Sequence, residues 1–179
     1  MRRALKIHPD WRCSAARQVE VEVTRQQAGG LVLRYTVSGK IDDLALPAVT
    51  TSARVDELWR HTCFEAFIRP VAGEAYYEFN FAPSTQWAAY RFDRYRSGKR
   101  TPDEMGAPQI EVERSGQRFT LQSTLRWDET SELARVATWW LGISAVLEKA
   151  NGGKSYWALA HPPGKPDFHH ADCFALKLQ

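Results

Sequence analysis

Residues 58–98 read LWRHTCFEAFIRPVAGEAYYEFNFAPSTQWAAYRFDRYRSG, and this stretch decides the fold. It contains three runs of strand character separated by turn residues, Gly73 after the first and Pro83-Ser84 after the second. Alternate side chains of a strand point to opposite sides of a sheet, so each run divides into two sets. Phe64, Ala66 and Ile68 oppose Cys63, Glu65 and Phe67; Tyr77, Phe79 and Phe81 oppose Tyr76, Glu78 and Asn80. In the third run Ala88, Tyr90 and Phe92 oppose Trp87, Ala89, Arg91 and Asp93. Pairing as a meander is expected to place Glu65, Glu78, Asn80 and Arg91 on one surface, beside Trp87 and Tyr76. Carboxylates, an amide and a guanidinium among aromatic rings suit a ligand with many hydroxyls and apolar ring faces. The plainer reading is a solvated sheet face carrying ordinary cross-strand charge pairs.

The same cadence extends in both directions. Val19, Val21 and Val23 alternate with Glu20 and Glu22, and Gly29-Gly30 turns the chain into 31–37, an opening hairpin. Residues 41–54, with Asp42, Asp43, Pro47 and a Thr-Thr-Ser cluster, read as a connection between sheet segments. Residues 96–108 form a loop rich in Gly and Pro that is placed to overhang the polar face. Further strands are expected at 109–114, 118–125, 141–148, 155–160 and 173–178. One short helix is expected within 130–136, capped by Thr130 or Ser131.

About ten strands with no alternating long helices exclude an α/β architecture. The expected fold is all-β, a two-layer antiparallel β-sandwich of immunoglobulin or jelly-roll type, with at most one or two short helices and a single domain over 1–179. Val21, Leu33, Phe64, Ile68, Phe79, Phe81, Phe92, Leu121, Val146 and Trp157 are its expected core.

At 179 residues, with 44% hydrophobic content, the chain reads as a folded protein, and its net charge of +3 neither requires nor excludes an anionic partner. Three widely spaced cysteines, Cys13, Cys63 and Cys173, form no disulfide framework and fit a reducing compartment. Lys6, His8, Pro9 and Asp10 interrupt the apolar run a signal peptide needs, and no window approaches a membrane span. A cytoplasmic location and no membrane partner are expected.

Several motifs resemble a known group. Leu58-Trp59 with 62–67, Tyr77-Glu78-Phe79-Asn80-Phe81-Ala82-Pro83, Trp87-Ala88-Ala89-Tyr90 and Tyr95-Arg96-Ser97-Gly98 resemble the DOMON-like domains related to the family nine carbohydrate-binding modules. The ending, 155–159 with His161-Pro162 and 166–170, is similar to the same group. The resemblance implies a β-sandwich that binds sugars or haem without catalysis. It also implies a sugar clamped between two tryptophans, with charged and amide side chains on its hydroxyls. Trp59, standing shortly before Glu65, matches the first clamp residue, and Arg91 matches the family's arginine. No tryptophan follows Trp157, so Phe168, His169 or His170 would have to take the second position.

The expected ligand-binding residues are therefore Trp59, Glu65, Asn80, Arg91, Phe168 and His169, with a saccharide or sugar-containing metabolite as partner. No cofactor, metal or catalytic residue is expected. Haem would need Met105, the only methionine beyond Met1, in a loop ill suited to a rigid axial ligand. The cluster His161, Asp167, His169, His170, Asp172 and Cys173 has zinc-ligand types without zinc-site spacing. Residues 151–155, Asn-Gly-Gly-Lys-Ser, end like a phosphate loop, but Glu148 stands where that motif needs glycine, so they read as a turn. A hydrolytic pair Glu65 and Glu78 is not expected to flank a cleft. The other reading is an interaction module, for protein or single-stranded nucleic acid, using Arg91, Arg94, Arg96, Lys99 and Arg100 with Tyr90 and Tyr95.

Overall fold

In a computed structural model describing residues 1–26, 29–129 and 131–179, eleven strands form one antiparallel sheet that curls over on itself. The strands are β1 (Arg2–Ile7), β2 (Ala16–Gln26), β3 (Gly30–Gly39), β4 (Cys63–Pro70), β5 (Tyr76–Phe81) and β6 (Trp87–Phe92), followed by β7 (Gln109–Ser115), β8 (Arg118–Arg126), β9 (Trp139–Glu148), β10 (Lys154–Ala158) and β11 (Leu176–Leu178). A four-residue helix, α1 (Glu132–Arg135), is the single α-helix among the described residues. Its cap is Ser131, whose side chain accepts from Ala134 N–H; Thr130, the other cap candidate, lies outside the described residues.

The sheet order is β6-β5-β4-β9-β10-β1-β2-β3-β8-β7, with β11 beside the first half of β9. The fold turns about β1. Arg2–Leu5 pairs with β2, whereas Lys6 and Ile7 pair with β10, so one strand belongs to both layers. This strand was not anticipated, because only Leu5 of its six residues is fully buried and no alternation is visible in RRALKI. The hairpin of β2 and β3, the meander of β4, β5 and β6 and the pairing of β9 with β10 follow the sequence pattern. The 151–153 segment is the β9–β10 turn, closed by Lys149 N–H to Gly153 C=O.

Between the layers, Val21, Leu33, Tyr35 and Leu121 meet Phe64, Ile68, Phe79 and Phe81, all essentially inaccessible. Tyr35 stands 5.1 Å from Phe64 and donates its hydroxyl to Glu65 C=O across the layers at 2.8 Å. Each such aromatic or aliphatic side chain contributes about 1.5–3 kcal/mol by leaving water. Phe92 and Val146 depart from expectation: they belong to a second apolar cluster on the outer face of the β4–β5–β6 layer, with Phe67, Tyr76, Tyr90, Phe168 and Phe174. The C-terminal segment 159–175 packs against that face through Phe168 and Phe174. No helix among the described residues is long and apolar enough to cross a membrane.

Candidate functional site

The meander register decides which side chains share the outer face. Glu65 pairs with Asn80, Phe67 with Glu78, Glu78 with Tyr90 and Tyr76 with Phe92. Paired residues point the same way, so Glu65, Glu78 and Asn80 stand together, as expected, with Tyr90 and Phe92 beside them. Arg91 pairs with Tyr77 and Trp87 with Phe81, which puts both on the opposite, core-facing side. The expectation that Arg91 joins Glu65 and Asn80 is thereby corrected. Its guanidinium is held by Asp93 and by Glu132 of α1 and lies 5.9 Å over Tyr77. The physical reason is the five-residue β5–β6 connection, in which Ala82 N–H bonds to Gln86 C=O and Thr85 takes a positive φ of 71°. A one-residue change in that register exchanges the faces of the whole strand.

The polar face is not solvated. Glu65, Glu78 and Asn80 are 3%, 5% and 1% exposed, which removes the reading of ordinary surface ion pairs. Glu65 and Glu78 form the floor of a half-open cleft of about 610 Å³ beneath the C-terminal segment. Asn80 lies under that floor: its amide donates to Glu78 Oε1 at 2.7 Å, and its carbonyl oxygen receives the Cys63 thiol. Glu65 Oε2 accepts from Ser144 Oγ at 3.4 Å. Burial, followed by repulsion from Glu78, pushes the Glu65 carboxyl well above its ordinary range. Burial raises Glu78 as well, against the opposing hydrogen bond from Asn80 and the charges of Lys99 and Arg96.

His169 enters this network from the C-terminal segment. Arg96 N–H donates to Tyr76 Oη, and the Tyr76 hydroxyl is hydrogen-bonded to His169 Nδ1 at 2.8 Å. The other ring nitrogen, Nε2, faces Glu78 Oε2 at 3.6 Å. Burial and the nearby Arg96 pull His169 down to about 4, so it is neutral at physiological pH. Asp167 fastens this segment to the hairpin after β6, accepting from Tyr95 Oη, Arg96 Nη2 and His169 N–H. Residues 96–99 of the expected overhanging loop do reach the cleft, through Arg96 and Lys99.

Two tryptophans line the opening. Trp59, in a 3-10 turn just before β4, is 49% exposed, and Trp11, in the loop after β1, is 39% exposed. Trp11 meets Tyr156 of β10 edge-on at 5.0 Å. Phe168 covers the floor from the C-terminal segment. Four of the six expected residues, Trp59, Glu65, Phe168 and His169, thus border one cleft; Asn80 supports its floor from below, and Arg91 lies elsewhere. Trp11 was missed. Its only sequence signal is an aromatic between Asp10 and Arg12, outside any alternating run. Glu78, Tyr90, Tyr156 and Lys165 also border the cleft, and Glu65 and Glu78 share it contrary to expectation.

Other candidate chemistry lies elsewhere or is already occupied. Met105 packs in the main core and does not border the cleft. Among the described residues no group of three or more His, Cys, Asp or Glu is placed to hold a metal ion. The three cysteines are free thiols. The basic run considered for nucleic acid is largely engaged within the chain: Arg91 with Asp93, Arg96 with Asp167 and Arg100 with Glu104.

No protein-family model matches the chain, and no curated protein matches it in sequence. Its fold is similar to the crystal structure of a candidate carbohydrate-binding protein from Bacteroides uniformis ATCC 8492. The TM-score is 0.66 at 12% identity, over 96% of this chain and 83% of that one. At that identity the likeness establishes a shared β architecture and leaves function to the site.

Proposed function

We propose that this chain is a non-catalytic sugar-binding module of DOMON-like type that holds a saccharide or sugar-containing metabolite in the cleft. One observation carries the reading: the exposed indoles of Trp11 and Trp59 border the same cleft as the buried, hydrogen-bonding floor of Glu65, Glu78 and His169. Indole faces suit the C–H faces of a pyranose, and a floor of fixed donors and acceptors suits its hydroxyls. A volume of about 610 Å³ accommodates a sugar of one or two rings. The structural likeness to a candidate carbohydrate-binding protein is consistent with it.

The floor carboxylates argue against hydrolysis. A glycosidase uses one protonated and one ionised carboxyl placed about the scissile bond. Here Glu65 and Glu78 rise from the same sheet face, and burial pushes both in the same direction. Screening mono- and oligosaccharides, sugar nucleotides and muropeptides by thermal shift, with tryptophan fluorescence as second readout, tests the proposal. A binder is expected to raise Tm and perturb indole emission together. A panel in which no saccharide does either would refute the assignment.

A further inference from the structure

The rim of the cleft carries three cations above a floor of two buried carboxyls. Arg96, Lys99 and Lys165 all border it. Arg96 is paired with Asp167 at 2.8 Å, but neither Lys99 nor Lys165 forms an ion pair with any described residue. Lys99 is held in place: its ammonium sits 3.6 Å over the Tyr90 ring, a cation–π contact that orders the group while leaving its charge available. On the floor, burial favours the neutral form of Glu65, and for Glu78 the charges of Lys99 and Arg96 oppose the upward push of burial. The positive field reaches down to that floor, where Arg96 and Lys99 both disfavour protonation of His169. Apolar walls from Phe92, Val146 and Phe168 concentrate such a field within the cleft.

A neutral sugar offers these exposed ammonium groups no partner of opposite charge. A sugar bearing a carboxylate or phosphate would balance them through charge-assisted hydrogen bonds. We infer that the cleft selects an anionic saccharide, a sugar acid or a sugar phosphate, with its charged group at Lys99 and Lys165 and its ring against the tryptophans. This inference rests on the saccharide-binding proposal and narrows its ligand class.

The test is calorimetric titration of the full chain with glucuronate, galacturonate, glucose 6-phosphate and galactose 6-phosphate, beside glucose, galactose and inorganic phosphate. The wild type and the Lys99→Gln/Lys165→Gln double variant are compared at low and high salt. The expected result is that at least one charged sugar binds about tenfold more tightly than its neutral parent, the factor carried by one charge-assisted hydrogen bond. That preference should shrink in salt and vanish in the double variant. Which charged sugar wins separates a sugar acid from a sugar phosphate. Equal or tighter binding of the neutral sugars overturns the anionic selectivity and leaves saccharide binding standing. Inorganic phosphate binding as tightly as the hexose phosphates overturns it too, because the ring then contributes nothing. Failure of every sugar, charged and neutral, removes the saccharide reading itself.

Discussion

Trp11 and Trp59 border one cleft although the first lies in the loop after β1 and the second in a turn just before β4. The sheet order explains the approach. β1 pairs with β10, β10 with β9 and β9 with β4, so three ladders bring the two loops to the same outer face. Because both indoles are substantially exposed, they are available to a ligand, and neither supports the main core.

Trp11→Ala and Trp59→Ala should each weaken saccharide binding by about 10- to 100-fold, as loss of an aromatic anchor does. Titration followed by tryptophan fluorescence reads the affinity, and thermal melts read the fold. Unchanged affinity in both variants would rule out stacking on these rings.

Glu65→Gln should stabilise the protein at neutral pH by about 1–3 kcal/mol, because an amide keeps the Ser144 contact without the penalty of a buried carboxyl. The sign follows from the raised native pKa. The folded state binds the proton more tightly, so this group favours folding most below its ordinary value of 4.5 and progressively less as pH rises toward its native pKa. Urea unfolding from pH 4 to 9 should show the gain of the variant growing with pH. A variant less stable than wild type at pH 8 would contradict it.

His169 works in the opposite sense. Its ordinary value of 6.5 falls to about 4 in the folded state, so its contribution is complete above pH 6.5 and is lost as pH falls toward 4. The full linkage is worth up to about 3 kcal/mol. In the wild type the Glu65 and His169 dependences partly offset. His169→Gln removes only the second, and its stability relative to wild type should improve steadily between pH 6.5 and 4. A difference independent of pH would mean that His169 titrates normally.

Arg91→Ala should leave saccharide affinity within about twofold and cost at most about 1 kcal/mol, since its partners Asp93 and Glu132 are surface carboxylates on the side of β6 away from the cleft. A tenfold loss of affinity, measured by calorimetry, would put Arg91 back among the binding residues.

Gly98→Ala should cost about 1–2 kcal/mol and weaken binding as well. Gly98 has φ of +69°, and a Cβ there would strike the Asp93 side chain. Relief requires the hairpin that carries Arg96 and Lys99 to move. Equilibrium unfolding and titration of one preparation check both effects, and retention of both wild-type values would show that the turn adapts freely.

The fold was largely legible because its signal is local. Period-two alternation in 19–23, 31–37, 63–69 and 76–81 comes from the pleat, which each strand carries without reference to its neighbours. The exception is β1, whose residues are mostly exposed and whose place follows from pairing with β2 and β10. At the site, Trp59 and the set of Glu65, Glu78 and Asn80 were readable from motif and parity. Trp11 was not, since an isolated aromatic in a polar loop has no periodic context.

The amino-acid sequence by itself determined an all-β chain and which side chains within each strand point together. Only the tertiary structure decided which way each set faces and what covers it. Arg91 belongs to the same strand as Tyr90, yet the connection between Phe81 and Trp87 turns Tyr90 toward Glu78 and Arg91 away. Likewise the polar face became a buried floor only because Phe168, His169 and Phe174 come back over it from the far end of the chain. Alternation is a property of neighbouring residues, whereas register and cover are set by contacts between residues far apart in the chain.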